Sequence, residues 1–175
     1  MVKVFTDGSS YKNGKPECIA GCGVFIGESN TRISLCVEDA ATMFDFKLTS
    51  QSNNVGEMMG ILVALCSIED KSQEITLYSD SMYCINSILT WSKSWAKNNW
   101  ITAGGTPVKN KELIMRILEE KAKFKFVFFR HVKGHKTKPT DETSEEYFLW
   151  YGNDVADQLA TQGTRSGRDK LIQKI

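Results

Sequence analysis

The stretch "FTDGSS", residues Phe5 to Ser10, sets a carboxylate at the end of an apolar run and follows it with glycine and two small hydroxyl residues. Val2 and Val4 alternate ahead of Phe5 in the pattern of a short strand, and a strand interior ordinarily excludes aspartate. Asp-Gly followed by serines is also a turn signal, because aspartate bonds its own backbone and glycine accepts positive φ. Taken alone, the stretch reads as a strand ending in a turn. Whether Asp7 does more depends on the other carboxylates.

The pattern outward from Asp7 gives an element order of β β β α β α α β α. "CIAGCGVFIG" and "TRISLCVE" read as two further strands joined by the turn "GESN", which suggests an antiparallel meander. In "SNNVGEMMGILVALCSIED" the period changes: Met58, Ile61, Leu62, Leu65 and Ile68 share one helical face, and asparagines stand where a cap would be. "EITLYSD" is a strand ending in Asp80, "SMYCINSIL" begins a short helix, and "VKNKELIMRILEEKAKF" is amphipathic. "FKFVFFRHV" is a final strand, and "GNDVADQLATQG" predicts a helix from Asn153 to near Gly163. In that helix Asn153 reads as the N-cap and Asp154 as its dipole partner. Five strands with helical crossovers imply an α/β protein with a mixed sheet flanked by helices.

Composition narrows the function classes. The 175 residues, 41% hydrophobic and 25% charged, suit one globular domain. A formal charge of +1 rules out polyanion binding by bulk charge, so any such site is local. Five cysteines, an odd number, sit mostly in apolar runs and point to a reducing compartment, cytoplasm or nucleus. Cys18 and Cys22 lack the further ligands of a zinc site. No membrane span, secretion signal or transit signal is evident.

Four acids stand in comparable places: Asp7 after the first strand, Glu57 early in the first helix, Asp80 after the fourth strand and Asp157 in the last helix. Each has an ordinary explanation: Glu57 as a helix-dipole partner, Asp80 as a cap, Asp157 as part of a solvated face. Gathered together without basic partners they would repel one another, and a divalent cation is the usual remedy. Ligation by oxygen alone favours Mg²⁺, with Mn²⁺ as a substitute.

The segments "FTDGSS", "NNVGEMMGILVAL", "LYSDSMY", "HVKGH" and "GNDVADQLA" resemble the five signature segments of the ribonuclease H type 1 family, in the family's order. The resemblance implies a ribonuclease H-like fold over residues 1–165, with a basic protrusion at about 91–109, an extended loop at 136–152 and a C-terminal tail at 166–175. It makes Asp7, Glu57, Asp80 and Asp157 the metal-binding carboxylates for two Mg²⁺ ions. His135 becomes a mobile-loop histidine that assists proton transfer or product departure. The implied activity is hydrolysis of the RNA strand of RNA/DNA hybrids by a monomeric endonuclease, leaving 5′-phosphate and 3′-hydroxyl ends. A DNA-directed nuclease of the same fold, or a hybrid-binding module without catalysis, stays open at this point.

The resemblance also places nucleic-acid contacts. Tyr83 and Trp91 fall on DNA-facing aromatic positions, Asn110 and Ser52 at a DNA-phosphate pocket, and Asn53 and Asn54 at the minor groove, where side-chain amides can read ribose hydroxyls. The segment "WSKSWAKNNWITAGGTPVKN" interleaves Trp91, Trp95 and Trp100 with Lys93, Lys97 and Lys109, which could supply stacking faces and phosphate partners. Buried helix packing is the competing role for the tryptophans, and helix capping for the asparagines. Two features depart from the family pattern. Ser50 stands where a cation is common, and the loop after His135 is long and carries Asp141, Glu142, Glu145 and Glu146. Those acids are expected to point away from substrate while Tyr147, Phe148 and Trp150 pack on the body. His131 is expected to end its strand and pack.

Overall fold

A computed structural model describes residues 1–174. Five strands form one sheet in the order β3-β2-β1-β4-β5, built from β1 (Val2–Tyr11), β2 (Ile19–Ile26), β3 (Thr31–Cys36), β4 (Glu74–Ser79) and β5 (Phe126–His131). The first three pair antiparallel, and β4 joins β1 and β5 in parallel. The mixed α/β sheet expected from the alternation is therefore present.

Helix α1 (Val37–Met43) follows β3, and α2 (Asn53–Ser67) lies against the sheet centre. Every residue of α2 from Val55 to Leu65 is buried, as a helix apolar nearly all round requires. Ser52 caps it by accepting a hydrogen bond from Val55 N at 3.1 Å. Helix α3 (Met82–Asn86), a π-helical segment (Ser87–Trp91) and α4 (Ser92–Lys97) run on from one another, then α5 (Lys111–Ala122) packs on α2. Helix α6 (Glu145–Gln173) covers the opposite face of the sheet, where Ala156 and Ala160 are fully buried against β1 and β2. None of the described helices is long and apolar enough to cross a membrane.

Several local expectations are corrected. Asp-Gly-Ser at residues 7–9 is not a turn: β1 continues to Tyr11, paired residue for residue with β2. Helix α1 is additional to the expected elements. The last helix starts at Glu145 rather than Asn153 and runs through Gly163 to Gln173, so the loop after His135 ends at Ser144 and residues 166–173 belong to the helix. Ile175, the end of the expected tail, lies outside the described residues. The true cap is Ser144, whose Oγ accepts from Tyr147 N at 3.0 Å. Asp154 is therefore not a capping partner; it sits mid-helix and accepts from Gln158 Nε2 at 2.7 Å.

The early start of α6 adds a second, aromatic core. Phe5 stacks on Tyr78 at 4.6 Å, and Phe148 meets Phe5 edge-on at 5.3 Å. This cluster lies directly beneath the carboxylates, because Asp7 follows Phe5 by two residues and Asp80 follows Tyr78 by two. Phe148→Ala is expected to cost about 2–3 kcal/mol, somewhat less than loss of a fully buried phenylalanine. That corresponds to a fall in Tm of about 4–12 °C for a chain of this size. Thermal denaturation checks it; a fall under about 2 °C would mean the first turns of α6 do not hold the aromatic core.

Candidate active site

The parallel pairing Val4↔Leu77 and Phe5↔Tyr78 puts Asp7 and Asp80 side by side, just where β1 and β4 stop pairing. Glu57 is brought to them by α2. Its approach requires glycine at position 8, since a Cβ there would lie 2.2 Å from Glu57 N. One carboxylate oxygen each from Asp7, Glu57 and Asp80 then fall within 4.8 Å of one another. Asp157, from α6, lies near enough to help raise the Asp7 carboxyl but stands outside that tight group. It lines a small cavity with His135 and Asn153.

The electrostatics of the cluster are unbalanced. Asp7 and Glu57 are buried, and among the described ion pairs no lysine or arginine joins any of the four acids. Burial, then the neighbouring Glu57 and Asp80, push the Asp7 carboxyl well above the usual carboxylate range. Burial and Asp80 do the same to Glu57. Asp80 is raised by burial, with His135 opposing and Asp157 adding to the shift. Glu57 Oε2 is buried with no hydrogen-bond partner. A buried carboxylate oxygen without a donor is costly, and a cation held jointly with Asp7 and Asp80 would satisfy it. The donor set is all oxygen, which suits Mg²⁺ or Mn²⁺.

Asp80 is not a helix cap, for Ser81 Oγ takes that role by accepting from Cys84 N at 3.2 Å. The loop after β5 presses on Asp80: a Cβ on Gly134 would meet Asp80 Oδ2 at 2.5 Å. His131 is exposed rather than packed, its Nε2 lying 3.2 Å from Asp80 O. His135 is exposed in the next stretch of loop, with a left-handed backbone at φ 53°.

The predicted nucleic-acid residues divide. Ser50, Ser52, Asn53, Asn54, Tyr83, Lys109 and Asn110 line one groove of about 600 Å³ on the α2 side of the sheet. Asn110 precedes α5 in a left-handed conformation and makes no capping bond with its side chain, so its amide is free for a ligand. Asn53 is not the α2 cap. Its N–H donates to Asn13 Oδ1 at 2.9 Å and its Oδ1 accepts from Ser10 Oγ at 3.5 Å. Asn13 and Thr49 belong to the groove too, and sequence reasoning misses them, since nothing in a turn such as "YKNGKPE" marks one asparagine out. Trp91, Trp95, Lys93 and Lys97 do not line the groove. Trp91 meets Tyr83 at 5.9 Å and Trp95 at 5.8 Å, and Trp95 meets Trp100 at 6.3 Å, so a ladder of aromatic rings leads away from the groove along α4. Lys93 and Lys97 lie beside it, both exposed.

An acidic cluster past the carboxyl ends of two parallel strands, flanked by a groove rich in amides and hydroxyls, stands where the α/β class of enzymes builds its sites. Comparison with known proteins narrows the class. The sequence pattern of the RNase H family matches residues 1–165. Ribonuclease H of Schizosaccharomyces pombe is 37% identical over 163 residues, covering 91% of this chain and 52% of that protein. Ribonuclease HI of Haemophilus ducreyi is 32% identical, covering 94% of this chain and 91% of that one. The chain thus spans about half of the yeast relative and nearly all of the bacterial one. The fold also matches that of the foamy viral protease-reverse transcriptase in complex with an RNA/DNA hybrid, with a TM-score of 0.68, 18% identity and coverage of 94% of this chain and 20% of that one. The chain belongs to the ribonuclease H family and is a ribonuclease H enzyme.

The raised carboxyls fix a pH dependence for the metal-free protein. A group with its pKa raised by folding holds its proton more tightly in the native state, so stability is full below the ordinary carboxylate pKa of about 4 and declines as pH climbs. With chelator present, Tm is expected to fall on going from about pH 5 to 8, and Asp7→Asn, which removes a buried carboxyl that must keep its proton against the rising pH, to melt several degrees above wild type at the upper end. Added divalent cation should raise the wild type and narrow that gap. Differential scanning calorimetry reads both, and an Asp7→Asn protein melting below wild type without cation would contradict the arrangement.

Proposed function

We propose that the chain is a divalent-metal-dependent endonuclease that hydrolyses the RNA strand of RNA/DNA hybrids and leaves 5′-phosphate and 3′-hydroxyl ends. The observation that carries the metal dependence is the partnerless, buried Glu57 Oε2 inside the group formed with Asp7 and Asp80. Asp7, Glu57, Asp80 and Asp157 would hold two Mg²⁺ ions when substrate is bound, with Mn²⁺ able to replace them. The chemistry such ions supply is Lewis acidity: activation of an attacking water and neutralisation of charge on the departing 3′ oxygen.

The remaining work falls to the side chains. Asp7 is buried and grouped with Glu57 and Asp80, with Asp157 near enough to act on its carboxyl, so it would be a central ligand for the cations, whose Lewis acidity the site would supply. His135, exposed and lining one cavity with Asp157, would pass a proton or help product leave. The α2-side groove would hold the deoxyribose strand through Asn110, Ser52 and Tyr83, with Asn53 and Asn54 reading ribose hydroxyls across the minor groove. Lys93, Lys97 and the Trp91–Trp95 pair extend that path, while Ser50 adds no charge to the phosphate pocket. The five cysteines are free, four of them buried, which fits the reducing cytoplasm or nucleus proposed for a chain that would work as a monomer.

Matched hybrid, duplex RNA and duplex DNA test the substrate: the hybrid should be cut well, and equal rates on all three would overturn the strand assignments. Asp7→Asn should abolish cleavage in a folded protein, because a neutral amide would be a far weaker ligand for a divalent cation than the carboxylate it replaces. His135→Ala should retain activity, losing about 10²-fold as expected of one proton-transferring group. Equal losses in the two variants would show that His135 does not have that supporting role. Replacing Lys93, Lys97 and Lys109 with alanine should lower the log–log salt slope of binding by up to about 0.9 for each phosphate that is no longer neutralised. An unchanged slope would remove those lysines from the path.

A further inference from the structure

The extended connection after His135 builds a second groove on the α6 side of the active site. Its cavity of about 280 Å³ is walled by Lys133, Lys136, Leu149 and Trp150. Lys133, Lys136 and Trp150 also line the small cavity that holds His135 and Asp157, so the two spaces share a wall. We propose that Lys133, Lys136 and Trp150 form a subsite for the RNA sugar-phosphate backbone next to the bond being cut, resting on the hybrid-nuclease reading above.

Three observations favour this. First, Lys133 and Lys136 are exposed and enter none of the ion pairs among the described residues, whereas Lys138 nearby is bound to Glu142 at 3.1 Å. Two unneutralised cations beside a nuclease site are phosphate partners in waiting. Second, the wall is held in place. Trp150 Nε1 donates to Lys136 O at 3.1 Å and its ring rests against Tyr147 at 5.5 Å, which ties the loop to α6. Third, the groove's position relative to the carboxylates is fixed at its base, where Gly134 abuts Asp80 and His131 meets the Asp80 carbonyl. Glu146 is the one acid in the lining and would keep a phosphate toward the lysine side.

The α2-side groove and this one flank the acids from opposite faces of the sheet. A polynucleotide of two strands can use both: the deoxyribose strand in the first, the ribose strand passing the acids into the second. Phosphate contacts there fix register on the enzyme without reading sequence.

The test is steady-state cleavage by the full chain and by the double variant Lys133→Ala, Lys136→Ala. The substrates are a hybrid with one cut site whose RNA extends on both sides, and two versions with the RNA shortened to the cut site's 5′ or 3′ neighbour. The variant should melt with the wild type, as exposed substitutions do. On the full hybrid it should raise KM with kcat unchanged within about twofold, and lower the log–log salt slope by about 1.4–1.8, the amount that two unneutralised phosphates account for. On one of the shortened hybrids wild type and variant should become equal. An unchanged KM and slope, or a defect that persists equally on both shortened hybrids, would overturn the subsite while leaving the activity standing. A wild-type chain that cuts no hybrid would overturn the function and the subsite together.

Discussion

Everything in this structure turns on like charges brought close. The carboxylates of Asp7, Glu57 and Asp80 meet within 4.8 Å, two of them buried, with no basic side chain paired to them among the described residues. Such a group opposes folding, and it survives because the elements carrying it are fixed for other reasons. The β1–β4 pairing is set by apolar strands, the close approach of α2 by the missing side chain at Gly8, and the seat of α6 by the Phe5–Tyr78–Phe148 stack. Packing beneath the site holds in place charges that would otherwise separate.

In the proposed function, the near-neutral chain would meet a polyanion by separating its charges. Its acids converge at one point, while unpaired lysines, amides and aromatic rings occupy grooves on either side. A phosphate backbone bound as proposed would be attracted at the flanks and would meet the acids only where cations would offset them. Asp141, Glu142 and Glu145, in the loop and the start of α6, do not line either groove; Asp141 is taken up by Thr143 and Glu142 by Lys138. Only Glu146 faces a groove.

Much of this is legible in the sequence. Alternation marks five strands in the observed order, and the period change at Asn53 marks the helix that carries Glu57. What sequence reasoning misses, it misses for local reasons. Asp-Gly-Ser carries the chemistry of a turn, yet eight ladder pairs between β1 and β2 override it. Helix α1 is seven residues long and begins at a β-branched valine directly after a strand, so its period never develops. The start of α6 is masked because "DETSEEY" reads as a solvated loop, although Ser144 followed by two glutamates is itself a cap with an acidic first turn. A start placed too late makes Asp154 look like a capping partner and hides Trp150 in a loop. The groove of Lys133 and Lys136 is not legible at all, since it needs residues from β5, the loop and α6 to be placed together.

The central claim is that Asp7, Glu57 and Asp80 form a cation site in their own right. Titration of the chain with Mn²⁺, without nucleic acid and followed by the loss of the free-ion electron paramagnetic resonance signal, tests it most directly. The account predicts saturable binding that Mg²⁺ competes away and that disappears in Asp7→Asn while the fold is kept. Binding of Mn²⁺ by Asp7→Asn with undiminished affinity would contradict it.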